Sequence, residues 1–104
     1  MSLTIAIDLD RTWTEAPTMW RSIRELMLRD GHAVVMVTAR RDPVSADERV
    51  RYRLPDDMPI VYTAGDFKER HALKAGYKVD IWIDDAPGMI QECAIIKVCP
   101  DTDL

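Results

Sequence analysis

The chain of 104 residues has few features of membrane, secreted or disulfide-rich proteins. Its longest uncharged apolar run, residues 33–39, is far shorter than the ~20 residues that a membrane span needs. The first apolar stretch runs into Asp8 with no basic segment before it, so we expect no secretory signal. The two cysteines, Cys93 and Cys99, match no metal-binding or redox spacing, and we expect reduced thiols in a cytoplasmic protein.

Charge of either sign is also modest. The 14 basic and 18 acidic residues give a net charge of −4, which does not favour general binding to nucleic acid or to an anionic membrane. Hydrophobic residues make up 47% and charged residues 31%, a composition that argues against disorder. The length fits one domain, and no repeat or linker divides it, so residues 1–104 are predicted to form a single domain.

Short apolar segments recur along the chain and are rich in β-branched residues. They predict five strands, at Thr4–Ile7, Ala33–Val37, Ile60–Thr63, Val79–Ile83 and Ala94–Val98. Most are continuous apolar runs rather than alternations of apolar and polar residues. That pattern is typical of strands buried on both faces, and therefore of a parallel sheet covered by helices.

Helical patterns separate these segments. Apolar residues at helical spacing between Met19 and Met27 predict a helix that ends before Gly31. Asp42 and Pro43 predict the N-cap and first position of a second helix, which runs through Val44 and Val50 to Leu54.

Asp66 predicts the N-cap of a third helix, with Glu69 completing a variant capping box and Gly76 near its end. Residues 87–93 predict a short fourth helix. Strands alternating with helices in this way indicate an α/β layer fold with right-handed crossovers.

Polar side chains that carry chemistry gather where the predicted strands end. Strand one ends in Asp8 and Asp10, strand two in Thr38, and strand four in Asp84 and Asp85, while Lys68 begins the helix before strand four. In open α/β sheets, ligands bind at the carboxyl ends of the strands. We therefore expect these side chains to line one crevice.

The residue types indicate a metal together with an anion. Converging carboxylates repel one another unless a cation such as Mg²⁺ compensates, and oxygen atoms are the ligands that Mg²⁺ prefers. A lysine and a threonine do not improve a magnesium site, but they suit a phosphate. Phosphoryl transfer needs this combination, and an aspartate can act as its nucleophile.

The segment Ile5–Thr12, IAIDLDRT, resembles the first motif of the haloacid dehalogenase (HAD) superfamily of phosphohydrolases, an apolar strand followed by Asp-x-Asp-x-Thr. Residues 34–38 resemble the second motif, Lys68 the third and residues 81–85 the fourth. The order agrees across essentially the whole chain. The Ile83–Pro87 string is most similar to small nucleotidase-like members.

The resemblance implies a three-layer, Rossmann-like α/β fold with a five-stranded, mainly parallel sheet and helices on both faces. Strands four, one and two would lie side by side. Only five residues separate Thr12 from Thr18, and the twenty-nine between Thr38 and Lys68 are consumed by a helix and strand three, so no cap domain is expected.

The resemblance further implies a Mg²⁺-dependent phosphatase that works through an aspartyl-phosphate. Asp8 would be the nucleophile and Asp10 the general acid and base. The implied magnesium ligands are Asp8, the Asp10 backbone carbonyl and Asp85, with Asp84 beside them. Thr38 and Lys68 would hold the phosphoryl oxygens. From its position just past Thr38, Arg40 is a further candidate to contact the substrate.

Four points stay open at the level of sequence. Asp84 and Asp85 are both candidates for the direct magnesium ligand after strand four. Lys74 and Lys78 rival Lys68 as the third-motif lysine, and Arg11 stands where the family often has glycine. A phosphoacceptor module of the receiver type, or a non-hydrolytic phosphate-binding domain, is the alternative function. The expected partners are a phosphorylated small molecule, such as a nucleotide, or a phosphorylated end. Either a second copy of the chain or the substrate itself would cover the open crevice.

Overall fold

The structure, a computed structural model, describes residues 1–91. Its strands and helices alternate along the chain: β1 (Thr4–Ile7), α1 (Pro17–Arg29), β2 (Ala33–Thr38), α2 (Ala46–Arg51), β3 (Ile60–Tyr62), α3 (Lys68–Lys74) and β4 (Ile81–Ile83). Two short 3₁₀ helices cover Trp13–Glu15 and Pro87–Met89. The predicted fifth strand and both cysteines lie outside the described residues, as does the end of the predicted fourth helix.

The four strands form one parallel sheet in the order β3-β2-β1-β4. Ile5 pairs with Val34 of β2 on one side and with Ile81 of β4 on the other. The expected adjacency of strands four, one and two is therefore confirmed. The Asp8 amide donates to the Ile83 carbonyl at 2.9 Å and extends the β1–β4 pairing to the residue that begins the candidate site.

Apolar side chains pack on both faces of the sheet. The larger cluster contains Ile7, Trp13 and Met36, with Trp20 of α1 packed against it. The smaller cluster, on the other face, contains the β2 residues Val35 and Val37, Ala6 of β1 and Ala72 of α3. Because successive strand residues point to opposite faces, continuous apolar strands supply both clusters. Helices on the two faces of a parallel sheet, as predicted, are thus present within residues 1–91.

Helix α2 begins later than the sequence predicted. The assignment of Asp42 as its N-cap is wrong, because Ser45 caps the helix: the Ser45 hydroxyl accepts from the Glu48 amide at 3.2 Å, and the Glu48 carboxylate accepts from the Ser45 amide at 3.1 Å. The preceding Val44 is buried, and its amide donates to the Tyr62 hydroxyl. Packing of Val44 therefore fixes the chain before the helix can start.

The start of α3 also differs from the prediction. Asp66 is not its N-cap, because the Asp66 carboxylate accepts from the neighbouring Phe67 amide and Phe67 precedes the first helical residue. The Glu69 amide, which a capping box would give to Asp66, donates instead to the Ile90 carbonyl at 2.7 Å. A contact with the segment after β4 therefore replaces the local cap.

The predicted ends of two helices agree better with the structure, whereas α2 ends at Arg51 and not at Leu54. Helices α1 and α3 are each followed, after one residue, by a glycine in the left-handed region, Gly31 at φ 87° and Gly76 at φ 94°. The predicted strand at 79–83 is shorter, because only Ile81–Ile83 pairs with β1.

The connections that follow β1 and β2 do not hold a separate domain. Between β1 and α1 the chain forms only the 3₁₀ helix Trp13–Glu15, and between β2 and α3 it forms α2 and the sheet strand β3. Within residues 1–91 there is thus no cap over the strand ends. In the same part of the chain, no helix has the length and apolar character to cross a membrane.

The capping geometry of α2 predicts unequal effects for two substitutions. Ser45→Ala should lower the free energy of unfolding by ~1 kcal/mol, because it removes a capping hydrogen bond. The matched change Asp42→Ala, at an exposed residue that caps nothing, should change it by less than ~0.5 kcal/mol. Urea unfolding of the two variants measures both. A larger loss for Asp42→Ala would restore the helix start predicted from the sequence.

Candidate active site

An open crevice of about 260 Å³ lies at the carboxyl ends of β1 and β4. The side chains on its wall are mostly those that the sequence singled out, joined by a few neighbours: Asp8, Asp10, Arg11, Ala39, Lys68, Asp84, Asp85, Ala86 and Met89. The parallel sheet explains the convergence, because strands that run the same way deliver their last residues to the same edge.

Asp8 is held at several points. Its amide donates to Ile83, and its carbonyl accepts from the Trp13 amide at 3.2 Å. Its Oδ1 accepts from the Leu9 amide at 2.9 Å and from Lys68 Nζ at 2.8 Å. One carboxylate oxygen is thus fixed by two nitrogen donors, whereas Oδ2 receives none from residues 1–91.

Lys68 is the lysine that reaches the carboxylates. It is the first residue of α3, and its side chain is only 3% exposed. Its ammonium lies 2.8 Å from Asp8 Oδ1 and 2.6 Å from Asp84 Oδ2. The rival candidates Lys74 and Lys78 are exposed and do not line the crevice.

The two aspartates after β4 have different surroundings. Both oxygens of Asp84 are engaged, Oδ2 by Lys68 and Oδ1 by the Ala86 amide at 2.9 Å. Asp85 is exposed, and its carboxyl group contacts that of Asp8. Asp84 therefore holds the lysine, and Asp85 is the freer carboxylate to bind a cation.

Burial raises the pKa of Asp8 to about 6; Lys68 opposes this shift, while Asp85 and Asp84 add to it. The folded protein therefore binds this proton more tightly than the unfolded chain does. Protonation of Asp8 therefore stabilises the fold below about pH 4, and this stabilisation is lost as pH rises through about 6. The Lys68 ammonium lowers the pKa of Asp8 by less than burial and the neighbouring carboxylates together raise it.

The donor set fits a hard divalent cation. Ligand oxygens of Asp8, Asp84 and Asp85 can lie within 4.8 Å of one another. When these three carboxylates are ionised beside the one ammonium, two negative charges remain to be balanced. The backbone carbonyl of Asp10, which accepts no hydrogen bond from residues 1–91, is a further oxygen at this edge. Carboxylate and carbonyl oxygens are the ligands that Mg²⁺ takes.

Asp10 lines the crevice, but Arg40 binds its carboxylate. Arg40 Nε donates to Oδ2 at 3.0 Å and Nη2 to Oδ1 at 2.9 Å, a bidentate pair, and Nη1 donates to Glu48 at 2.7 Å. The hydrogen bonds that Arg40 donates to Asp10, with further help from Glu48, raise the pKa of Arg40. Glu48 was missed by the sequence reasoning, although the Ser45-x-x-Glu48 spacing of a capping box would have placed it.

Thr38 and Arg40 do not form part of the crevice wall. Thr38 is fully buried, and its hydroxyl accepts from the Arg40 amide at 3.3 Å. The Arg40 guanidinium is occupied by two carboxylates. The phosphate-binding roles predicted for these two residues therefore stay predictions, and each would require its present contacts to change.

The turn after β1 adopts a conformation that L-residues disfavour. Arg11, in the position where the resemblance leads one to expect glycine, has φ 65°. Its amide donates to the Thr14 hydroxyl at 3.1 Å, while the Thr12 amide donates to the Leu9 carbonyl. These bonds hold a tight turn that carries Asp10 and Arg11 over the crevice.

Comparison of the chain with protein-family models, with curated proteins and with solved structures found no match. The chemistry proposed for the crevice therefore rests on its own residues and their geometry.

The buried contacts of Lys68 predict a large loss of stability when its charge is removed. Lys68→Met should lower the free energy of unfolding by ~3 kcal/mol, because Asp8 and Asp84 then lose a buried partner. The control Lys74→Met removes an exposed charge and should cost less than ~0.5 kcal/mol. Chemical denaturation without divalent cations compares them, and similar small losses would contradict the buried cluster.

The turn geometry predicts that Arg11→Gly stabilises the fold. Glycine removes the steric cost of positive φ, ~1–2 kcal/mol, and adds entropy to the unfolded chain, ~0.4–1 kcal/mol, so the net gain should lie between about 0 and 1.6 kcal/mol. Arg41→Gly, at an exposed neighbour without positive φ, should instead destabilise. Thermal unfolding followed by circular dichroism ranks the two, and a loss of stability in Arg11→Gly would contradict the strained turn.

Proposed function

We propose that the protein is a Mg²⁺-dependent phosphomonoesterase of the HAD type, with Asp8 as nucleophile. The observation that carries the proposal is the crevice in which Asp8, Lys68 and two further aspartates converge at adjacent strand ends. Such a site pairs an oxygen nucleophile with a fixed cation and a set of metal ligands. Phosphoryl transfer depends on positioning and charge neutralisation of this kind.

Asp8 suits the role of nucleophile because only one of its oxygens is held by nitrogen donors. Leu9 and Lys68 fix Oδ1, and Oδ2 is left to attack. In the first step Oδ2 bonds to phosphorus while the bond from phosphorus to the leaving oxygen breaks, and that oxygen takes a proton from Asp10. In the second step water attacks phosphorus, gives a proton to Asp10 and releases phosphate from Asp8.

Magnesium would be held by Asp8, Asp85 and the Asp10 carbonyl, and when bound it neutralises charge on the phosphoryl group. Asp84 contributes by keeping the ammonium of Lys68 in place through its 2.6 Å contact. Asp8 and Asp84 take two of the three N–H donors of the Lys68 ammonium, and the third is left for a phosphoryl oxygen. Each carboxylate of the cluster thus has a separate role in the proposal.

The open crevice bears on the class of substrate. No inserted domain covers the strand ends within residues 1–91, so a phosphate on a small molecule or at the end of a larger one can enter. The proposed partners are therefore a phosphorylated small molecule, such as a nucleotide, or a phosphorylated end. A second copy of the chain that covers the crevice remains part of the proposal.

One observation favours a second function, a phosphoacceptor that releases phosphate slowly. Asp10, which the hydrolytic step needs as a base, has both oxygens bound by Arg40. A receiver-type order of residues fits less well, because the acid after β3, Asp66, does not line the crevice. Sustained turnover distinguishes the phosphatase from the acceptor.

The proposal predicts hydrolysis of an aryl phosphate that requires Mg²⁺. Excess chelator should stop turnover, and Asp8→Asn should reduce it to background because an amide is a poor nucleophile. Asp85→Asn should raise the Mg²⁺ concentration at half-maximal rate about tenfold or more, because it removes a charged ligand. Asp30→Asn, an exposed change after α1, is the control and should have no effect. Full activity in chelator, or in Asp8→Asn, would overturn the proposal.

The Asp10–Arg40 pair predicts effects that depend on the leaving group. Asp10→Asn should slow turnover of an alkyl phosphate by ~10²–10⁴-fold and should slow the first step of an activated aryl phosphate much less. Arg40→Gln should act in the same direction and more weakly, because Asp10 remains but loses its fixed position. Faster turnover in Arg40→Gln would instead mean that the salt bridge to Arg40 hinders proton transfer by Asp10. Arg41→Gln is the control and should match the unmodified protein.

A further inference from the structure

Three cations lie in or beside the crevice, and they differ in how far they are neutralised. Lys68 contacts Asp8 and Asp84, and the Arg40 guanidinium contacts Asp10 and Glu48. The guanidinium of Arg11 has no carboxylate within salt-bridge distance in the part of the chain that the structure describes, although the residue is exposed on the crevice wall.

Arg11 occupies its position against a backbone preference. Its φ of 65° lies in the region that glycine adopts most easily, and the bond from its amide to Thr14 holds it there. A strained residue that also lines a crevice supports a role in function. The turn needs nothing from the Arg11 side chain, because the hydrogen bonds that hold it come from the backbone and from Thr14.

We infer that Arg11 makes the crevice selective for phosphomonoesters that carry a second phosphate group. This inference rests on the proposed phosphatase function and names its substrate class. In this inference Asp8 and Lys68 contact the reacting phosphate. Arg11, three residues beyond Asp8 in the turn, binds the second phosphate, farther along the substrate. A guanidinium presents paired donors that match phosphate oxygens, and an uncapped crevice leaves room for the larger molecule.

Two sources supply this chemistry, a nucleoside bisphosphate and the phosphorylated end of a nucleic acid. The test compares kcat/KM for a nucleoside 5′-monophosphate, a nucleoside 3′,5′-bisphosphate and a 5′-phosphorylated dinucleotide. The unmodified protein should prefer at least one of the last two over the monophosphate by about 10–100-fold, as expected for a hydrogen bond between charged groups. Preference for the bisphosphate alone indicates free nucleotides, and preference for the dinucleotide indicates nucleic acid ends.

Variants at Arg11 then test whether this residue causes the substrate preference. Arg11→Gln should bring the ratio close to one, because kcat/KM falls more for the preferred substrate than for the monophosphate, and Arg11→Lys should keep part of the preference. Arg29→Gln, at the exposed end of α1, is the matched control and should keep all of it. The inference would be overturned if the ratio of kcat/KM between the preferred substrate and the monophosphate were the same in the unmodified protein and in Arg11→Gln. It would also be overturned if Arg11→Gln lowered kcat/KM equally for all three substrates.

A binding measurement separates this inference from the proposed function. Calorimetry with the Asp8→Asn protein and Mg²⁺ compares the bisphosphate and the dinucleotide with the monophosphate when no turnover occurs. Tighter binding of a second-phosphate ligand that Arg11→Gln abolishes supports the inference even if no substrate is hydrolysed. Hydrolysis without any discrimination dependent on Arg11 overturns it and leaves the phosphatase proposal intact.

Discussion

The ion cluster of Asp8, Lys68 and Asp84 is the interaction on which the candidate site depends. All three side chains are less than a tenth exposed, and the ammonium lies within 2.8 Å of both carboxylates. Charges that are removed from water in this way stabilise a fold only when each finds a partner. The cluster ties the ends of β1 and β4 to the start of α3, so one lysine both holds the local structure together and sits beside the proposed nucleophile.

The cluster retains an excess of negative charge, and this gives the crevice its proposed chemistry. Three carboxylates, of Asp8, Asp84 and Asp85, surround the one ammonium of Lys68, and Asp85 and Asp84 add to the rise that burial causes in the pKa of Asp8. Around the cluster, the Arg11 turn and the Arg40 bridge position Asp10 at the rim. The groups proposed for attack, proton transfer and cation binding therefore belong to neighbouring but separately held parts of one strand edge.

Much of this arrangement was predictable, because it follows from the order of strands along a parallel sheet. Continuous apolar runs located the four described strands, and the resemblance implied the adjacency that brings Asp8 and Asp84 together. The helix starts were less predictable. Asp42 and Asp66 are ordinary capping residues in sequence, but burial of Val44 and the contact from Glu69 to Ile90 shift the helices. The bridge from Arg40 to Asp10 was missed because it joins side chains thirty residues apart.

The proposal that Asp8 is the nucleophile is tested by searching for a phosphoryl group on this residue. The protein is mixed with Mg²⁺ and an activated aryl phosphate, quenched with acid within one turnover, and examined by intact-mass measurement and peptide fragmentation. If Asp8 is the nucleophile, the mass increases by one phosphoryl group, located on the peptide that contains Asp8. Turnover with no phosphorylated protein at any quench time, or a phosphoryl group on a different residue, would contradict this proposal.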